Sequence, residues 1–245
     1  MAFRKLLSSL GIDGPQVQTV LDSATVRPGE KLQATVTIVG GASDVRIDEL
    51  AVELVTRVED YETSKIGWAN PGVVVDEAVA PFNLAAREHL KHQISLHVPW
   101  EMPLTHAHGQ PLRGARAAVR TVLAIDSAVD RGDFDEVDVH ALPSQELIIQ
   151  AFQSLGFRLD EAEVKAGYAM GAEKLQTLPY WQELEFFCPA EYAGRLSQVE
   201  TQFVARADSL DLFIGEDGPH TFTHADLAPD TFMQWLDAHC RTLWR

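Results

Sequence analysis

A two-residue alternation of apolar and polar side chains is the feature that most constrains how this chain can fold. Between positions 31 and 38 every second residue is apolar: Leu32, Ala34, Val36 and Ile38. Successive side chains of a strand point to opposite faces, so this spacing places all four on one face of an extended segment. Residues 31–38 are therefore predicted to form a half-buried strand of an antiparallel sheet.

Turn-forming residues frame this strand on both sides. Proline presets φ and glycine tolerates positive φ, so Pro28 and Gly29 predict a tight turn at residues 27–30. Two glycines at positions 40–41 end the strand, and residues 17–21 alternate in the same way upstream of the turn. The chain therefore opens with two strands and a turn, and none of these residues suggests catalysis.

Four further segments before residue 143 show the same alternation: residues 45–59, 93–98 and 117–126, and the region of Val137 and Val139. In the first of these segments the apolar positions change parity between Ile47 and Leu50. This change predicts a bulge or a bend near Asp48 and Glu49. Many short strands separated by turns at this spacing are typical of a β-sandwich.

A boundary is predicted at Pro143-Ser144, where the strand pattern gives way to a helix near residues 144–155. Apolar residues recur at helical spacing in this segment, Ser144 can cap its start, and Gly156 occupies the position of a C′ glycine. Strand-like alternation then returns in four segments: GFRLDEAEV, QELEFFCP, SQVETQFVARA and SLDLFIGED. A last helix is predicted from about Pro229 to Thr242.

Charge and composition exclude several classes of function. The 245 residues are 46% hydrophobic, which is enough for a substantial core, and the formal net charge is −16. A surface this acidic repels phosphate backbones, so we expect no nucleic-acid partner. There is no run of 18 apolar residues and no secretory leader pattern, so the chain is expected to be cytoplasmic.

The two cysteines, Cys188 and Cys240, form no metal-binding or redox spacing. They indicate structural thiols in a reducing compartment, with a disulfide between them as the alternative. Cys188 follows two phenylalanines and precedes a proline, a setting that favours a buried thiol over a reactive thiolate. The sequence contains no G-x-S-x-G, P-loop or G-x-G-x-x-G motif.

Two places in the first half could hold a metal ion. His106 and His108, with a carboxylate, are the best candidates for a transition-metal site, although such a site needs three or four converging ligands. The acidic loop 126–138 has oxygen ligands that suit Ca²⁺, but it lacks the EF-hand order. Solvated loop residues explain both patterns more simply. We therefore assign no catalytic, cofactor-binding or metal residue, and we expect no cofactor.

Four blocks of the first half resemble one bacterial family: FRKLLSSLGIDGPQVQTVLDSATVRPGEKLQATVTIVGG, RIDELAVELVTRVE, ISLHVPWEMPLT and AVRTVLAIDSAVDRGDFDEVDVHALP. They are similar to the sporulation stage zero protein M (sporulation-control) family, which has an arrestin-like fold. LGFRLDEAEV, LPYWQELEFF and SLDLFIGED extend the resemblance more loosely to about residue 218, and residues 226–245 match no family signature. No catalytic motif belongs to this family, so no functional residue is carried over.

The resemblance implies a mainly β fold with two tandem arrestin-like β-sandwich domains. The predicted domains are residues 1–142, with a short N-terminal helix at residues 2–10, and residues 143–225. A C-terminal helix at residues 226–245 completes the chain. The helix near residues 144–155 opens the second domain.

The implied function is that of a non-enzymatic cytoplasmic regulatory or adaptor protein. It would bind other proteins through sandwich edges, loops or the inter-domain cleft, and cell-division, cytoskeletal and signalling proteins are the partner classes to look for. The alternative is a small-molecule or metal-binding module with a pocket between the domains or under loop 99–116. We expect at most weak peripheral membrane contact through residues 2–10, and a homodimer formed through edge strands is compatible with the sequence.

Overall fold

The structure is a computed structural model, and it describes residues 14–59, 65–70, 72–79, 81–126, 130–169, 171–172, 175–192 and 197–243. The predicted helix at residues 2–10 lies outside these residues. The strands of the first half are β1 (Gln16–Leu21), β2 (Thr25–Val26), β3 (Lys31–Val39), β4 (Val45–Glu59), β5 (Ile66–Trp68), β6 (Val74–Val79), β7 (Phe82–Leu84), β8 (His89–His97), β9 (His106–Ala107), β10 (Gln110–Pro111), β11 (Ala117–Ile125) and β12 (Arg131–Val139). Those of the second half are β13 (Arg158–Ala166), β14 (Tyr180–Phe187), β15 (Gln198–Ala205), β16 (Ser209–Ile214) and β17 (Asp217–Thr223). The helices are α1 (Pro143–Ser154) and α2 (Pro229–Leu243), so the predicted mainly β fold and both of these helices are confirmed.

Besides the small β9-β10 pair, two sheets carry the described strands of the first half. One has the strand order β1-β3-β8, and the other is built on the long strand β4, which pairs with β11 and, through it, with β12 and β2. The alternating apolar residues of β3 are fully buried and share one core with those of β4. The period-two pattern therefore marks the face of β3 that packs between the sheets.

The predicted bulge lies where the parity of β4 changes. Ala124 of β11 pairs with Glu49, and the next residue, Ile125, pairs with Ile47. Asp48 is thus the extra residue, and it is exposed. Because of the bulge, Ile47 and Leu50 both reach the core although they differ in parity.

The described part of the second half is an antiparallel sheet in which β13 to β17 follow one another in chain order. One face packs against α1 and α2 through Phe152, Phe186 and Leu236. The other face packs against the segment that contains Ala169 and Ala172. The arrestin-like arrangement of this half and the predicted domain boundaries stay predictions.

The ends of α1 are fixed in two different ways. Ser144 does not cap the helix, contrary to the prediction, because the helix begins one residue earlier at Pro143, a favoured first position. The Gln145 side chain instead accepts a hydrogen bond from the Leu142 N–H at 2.9 Å. Gly156 confirms the predicted C′ glycine: its φ is +89°, and the next N–H donates to the Phe152 carbonyl at 3.0 Å.

Candidate interaction groove and histidine clusters

The predicted pocket beneath the first part of loop 99–116 is filled by protein. Leu104 donates its N–H to Gln182 Oε1 at 2.8 Å, and Gln182 Nε2 donates to the Leu104 carbonyl at 2.8 Å. Glu101 accepts hydrogen bonds from the backbone N–H groups of Thr177 and Leu178. In the space left here between the two halves, the volume available to the centre of a water molecule is only about 20 Å³. This is room for about one water molecule. The first part of the loop therefore leaves no room for a small molecule, whereas a pocket elsewhere between the two halves stays a prediction.

Two strand edges that were predicted as binding surfaces are partly closed. The Thr19 N–H of β1 donates to Asp133 Oδ2 at 2.6 Å, so this backbone donor is already satisfied. Edge strand β17 contains Pro219, which has no N–H to offer an added strand. These features disfavour strand addition at β1 and β17.

An open groove lies between α1 and α2, and we call it the helix groove. Its volume is about 420 Å³, and these residues line it: His108, Pro143, Glu146, Leu147, Gln150, Ala151, Ser154, Pro229, Asp230 and Met233. Leu147 and Met233 are half-buried and pack on the core from below. The helix groove therefore combines an apolar floor with a polar rim.

Local sequence explains this arrangement. In α1, Ile148 and Phe152 point into the core, and in α2 Phe232 and Leu236 do the same. The apolar face of each helix extends beyond the residues that are fully buried. Leu147 and Met233 therefore lie at the edges of these faces, where the two helices meet. The sequence identified both apolar stripes but not the groove between them.

The rim of the helix groove is acidic. Glu146 and Asp230 lie in the first turns of α1 and α2, and none of the described residues that line the groove is a Lys or an Arg. Glu146 also accepts a hydrogen bond from the His108 N–H at 3.1 Å. The second half of the chain, residues 143–245, carries 7 basic and 16 acidic residues, a net charge of −9. The electrostatic field at the groove should therefore favour cationic ligands.

His106 and His108, the candidate ligands considered for a metal site, are not brought together in the structure. His108 is exposed with φ +49° at the turn between β9 and β10, and His106 instead lies beside Asp138 and His140. His106 and His140 stack at 4.8 Å with ring planes 10° apart. Burial, followed by the nearby His106 charge, lowers the pKa of His140. Sequence reasoning missed His140 because a bridge between distant segments brings it to His106.

The acidic loop 126–138 does not assemble a calcium site from its described residues. Asp130 Oδ1 accepts a hydrogen bond from the Ile125 N–H at 3.1 Å, whereas Asp133 binds the β1 backbone. Asp138 lies with the histidines. These carboxylates are spread along a strand, so their oxygens do not converge as Ca²⁺ requires. Residues 127–129 lie outside the described part of the chain.

A second histidine cluster joins β17 to α2, and it consists of Asp217, His220 and His239. His224, which is four positions from His220, instead contacts the Arg206 carbonyl through Nε2 at 2.9 Å. His239 comes from α2, so no sequence spacing connects it with Asp217. Only the packing of α2 on the sheet reveals this cluster.

The two cysteines are free thiols in the structure. Burial raises the pKa of Cys240 to about 12 and also raises that of Cys188. A thiol with a raised pKa is a poor nucleophile at neutral pH, because little thiolate forms. Neither cysteine therefore has the properties of a catalytic residue.

Within the described residues, no helix is both long enough and apolar enough to cross a membrane.

Comparison with known proteins gives consistent results. The family model described as SpoOM protein matches residues 3–218. The sporulation-control protein spo0M of Bacillus subtilis (strain 168) is 31% identical over 221 residues, which are 88% of this chain and 80% of that protein. The crystal structure of Spo0M, the sporulation control protein from Bacillus subtilis, has the same fold with a TM-score of 0.78. At 24% identity it covers 94% of this chain and 99% of that one. On these matches, the chain belongs to the SpoOM family.

Proposed function

We propose that this protein is a non-enzymatic, cytoplasmic regulatory adaptor that binds a partner protein in the helix groove. The Bacillus subtilis relative, named as a sporulation-control protein, supports a regulatory role. The occupant is a basic segment of the partner, and it inserts two apolar side chains between α1 and α2. The observation that carries this proposal is the apolar floor of the helix groove beneath an acidic rim.

Charge complementarity selects this type of occupant. An acidic segment would place its negative charges against Glu146 and Asp230, and a neutral segment would leave these two carboxylates desolvated and unpaired. Lys and Arg side chains would instead pair with them. Rim charges of this kind mainly increase the association rate and fix the orientation of the partner. The affinity should come from apolar anchors that displace water from Leu147 and Met233.

The form of the groove suggests an amphipathic helix as the bound segment. Two helices that meet along their flanks leave a furrow, and a third helix can lay one apolar face into such a furrow. Anchors spaced by one helical turn would lie over Leu147 and Met233, with basic residues next to each anchor. The groove residues themselves do not suggest catalysis. The one hydroxyl among them, that of Ser154, accepts a hydrogen bond from Gln150 rather than from a general base.

Met233→Glu should reduce partner binding at least tenfold, because it places a charge on the apolar floor. Gln234→Glu is the matched control, since it adds the same charge to the same helix at an exposed position outside the groove. On α1, Leu147→Glu and Gln153→Glu form a second matched pair. A tenfold loss corresponds to about 1.4 kcal/mol of binding free energy.

The experiment starts with crosslinked capture from the native cell and identifies the crosslinked peptide by mass spectrometry. A synthetic peptide of that segment is then titrated by fluorescence anisotropy against all four variants and the unmodified protein. The proposal expects a basic, amphipathic segment whose affinity falls in Met233→Glu and Leu147→Glu but not in the controls. A segment without basic residues, or equal binding by Met233→Glu and Gln234→Glu, would contradict it.

A further inference from the structure

We propose that Asp217, His220 and His239 form a binding site for a divalent transition-metal ion, Zn²⁺ by its ligand set, which fastens α2 to the edge strand β17. This inference is independent of the helix groove. It rests on the convergence of three side chains from two separate elements of the fold.

The three potential ligands meet at one carboxylate oxygen. His220 Nε2 lies 2.7 Å from Asp217 Oδ2, and His239 Nε2 lies 2.9 Å from the same oxygen. Two imidazole nitrogens and a carboxylate oxygen are a typical three-residue ligand set for zinc. Tetrahedral coordination with bonds of about 2.0–2.2 Å separates ligand atoms by about 3.3 Å. The side chains would therefore need to move apart by only about half an ångström to admit the ion.

Ring orientation distinguishes this cluster from that of His106 and His140. Imidazole lone pairs lie in the plane of the ring, so two rings bind one ion most easily when their edges point toward a common position. The rings of His220 and His239 are 4.6 Å apart with planes at 78°, an arrangement that allows their edges to converge. The rings of His106 and His140 are stacked nearly parallel, so their edges do not converge.

His239 places a buried nitrogen at the cluster. Its Nε2 atom is buried, and Asp217 Oδ2 lies 2.9 Å away in a geometry that is poor for a hydrogen bond. Buried polar atoms are normally well bonded in folded proteins, and a bound ion would satisfy this one better than the ion pair does. Coordination would use this nitrogen directly.

The surroundings support the ligands and leave access for a fourth. Trp235 stacks on His239 at 4.8 Å with ring planes 13° apart, and this contact fixes the orientation of the imidazole. Asp217 borders a second groove of about 640 Å³ that also contains Glu185, Glu200 and Glu216. These carboxylates attract cations, and the groove gives a water molecule or Glu216 a route to the open coordination position.

Zinc should bind one ion per chain and stabilise the protein. The full chain is treated with a chelator, desalted and titrated with Zn²⁺ alone in a calorimeter, and thermal unfolding is followed with and without the ion. At zinc concentrations about 100-fold above Kd, binding to the folded state should raise Tm by about 5–10 °C. Co²⁺ should produce the intense visible absorption of a four-coordinate ion in the unmodified protein.

Ligand variants locate the site. Asp217→Asn and His239→Gln should each lower zinc affinity at least about 100-fold and abolish the Tm increase, whereas the matched control His140→Gln should bind normally. His220→Gln gives a third test if either variant folds poorly, and the readout in every case is the change on adding zinc. Absence of binding by the unmodified protein, or loss of binding only in His140→Gln, would overturn the proposal.

Discussion

Phe152→Ala should lower the free energy of unfolding by about 3–5 kcal/mol, because it leaves a cavity where a completely buried aromatic ring had packed. Phe152 stacks on Phe186 at 4.9 Å and meets the edge of Phe157 at 5.3 Å. These neighbours belong to the sheet and to the turn after α1, so neither can move inward without disturbing its own element. The cavity should therefore collapse only slightly, and the decrease in the free energy of unfolding should be large.

Urea unfolding followed by circular dichroism measures this effect. Gln153→Ala is the matched control, since Gln153 is the exposed neighbour on the same helix, and it should change stability by less than about 0.5 kcal/mol. Phe152→Leu retains most of the volume and should cost less than Phe152→Ala. A loss below about 1.5 kcal/mol for Phe152→Ala would mean that the core rearranges to fill the space.

The same experiment tests how the two halves are coupled. One continuous core contains residues of the first sheets, such as Leu32 and Leu54, as well as Phe152 and Cys240. A shared core predicts that destabilising α1 lowers the unfolding midpoint of the whole chain in a single transition. Two separate transitions in Phe152→Ala would show instead that the first half remains folded without α1.

Sequence reasoning succeeded where the determining interactions are local. The alternation from Leu32 to Ile38 defines the buried face of β3 because strand geometry alone sets which side chains share a face. The parity change near Asp48 located the bulge for the same reason. Gly156 marked the end of α1 because a left-handed residue there depends only on the helix it terminates.

Sequence reasoning failed where distant segments meet. His106 and His108 were considered together because they are neighbours in sequence, but the chain between β12 and α1 brings His140 to His106 instead. His239 was missed because α2 reaches β17 only through packing of its apolar stripe. A pocket was expected under loop 99–116. Gln182 fills the space beside Leu104, and the open space instead lies where His108, later in the same loop, borders the helix groove. The sequence identified the helix stripes, but the angle at which they meet creates the groove.

The junction between the two halves contains a buried carboxyl group with unusual acid–base behaviour. Glu183 of β14 has a side chain only 4% exposed, and Lys165 Nζ lies 2.6 Å from its Oε2. Lys165 is also the β13 residue that pairs with Glu59, the last residue of β4. Burial raises the pKa of Glu183 to about 7. The hydrogen bond and positive charge of Lys165 lower this pKa, whereas the like charge of Glu200 raises it further.

A raised carboxyl pKa makes the folded state bind protons more tightly than the unfolded state. Between the unfolded value of 4.5 and the folded value of about 7, stability therefore falls as pH rises. The contribution is fully present below pH 4.5 and is lost as pH passes through about 7. Between about pH 5 and pH 8, the ionisation of Glu183 alone should lower the free energy of unfolding of the unmodified protein by roughly 2 kcal/mol.

Glu183→Gln should remove this loss, because glutamine imitates the protonated carboxyl group at every pH. The difference in unfolding free energy between Glu183→Gln and the unmodified protein should therefore increase by roughly 2 kcal/mol from about pH 5 to pH 8. Urea unfolding at half-unit pH steps measures it, and comparison with the unmodified protein cancels the titration of His140 and other groups. Glu49→Gln, exposed on β4 and outside the junction, is the control for the substitution itself.

Glu200→Gln tests how far the like charge on Glu200 adds to the effect of burial on the pKa of Glu183. Removing the like charge of Glu200 should lower the pKa of Glu183, so the pH at which stability is lost should move downward while the loss itself persists. A pH-independent difference for Glu183→Gln would mean that Glu183 is already ionised at about pH 5 and that Lys165 fully compensates its burial. The predicted outcome instead means that the junction between the two halves becomes less stable as pH rises through neutrality. The carboxylate that forms on Glu183 is buried beside Lys165, the β13 residue that pairs with β4.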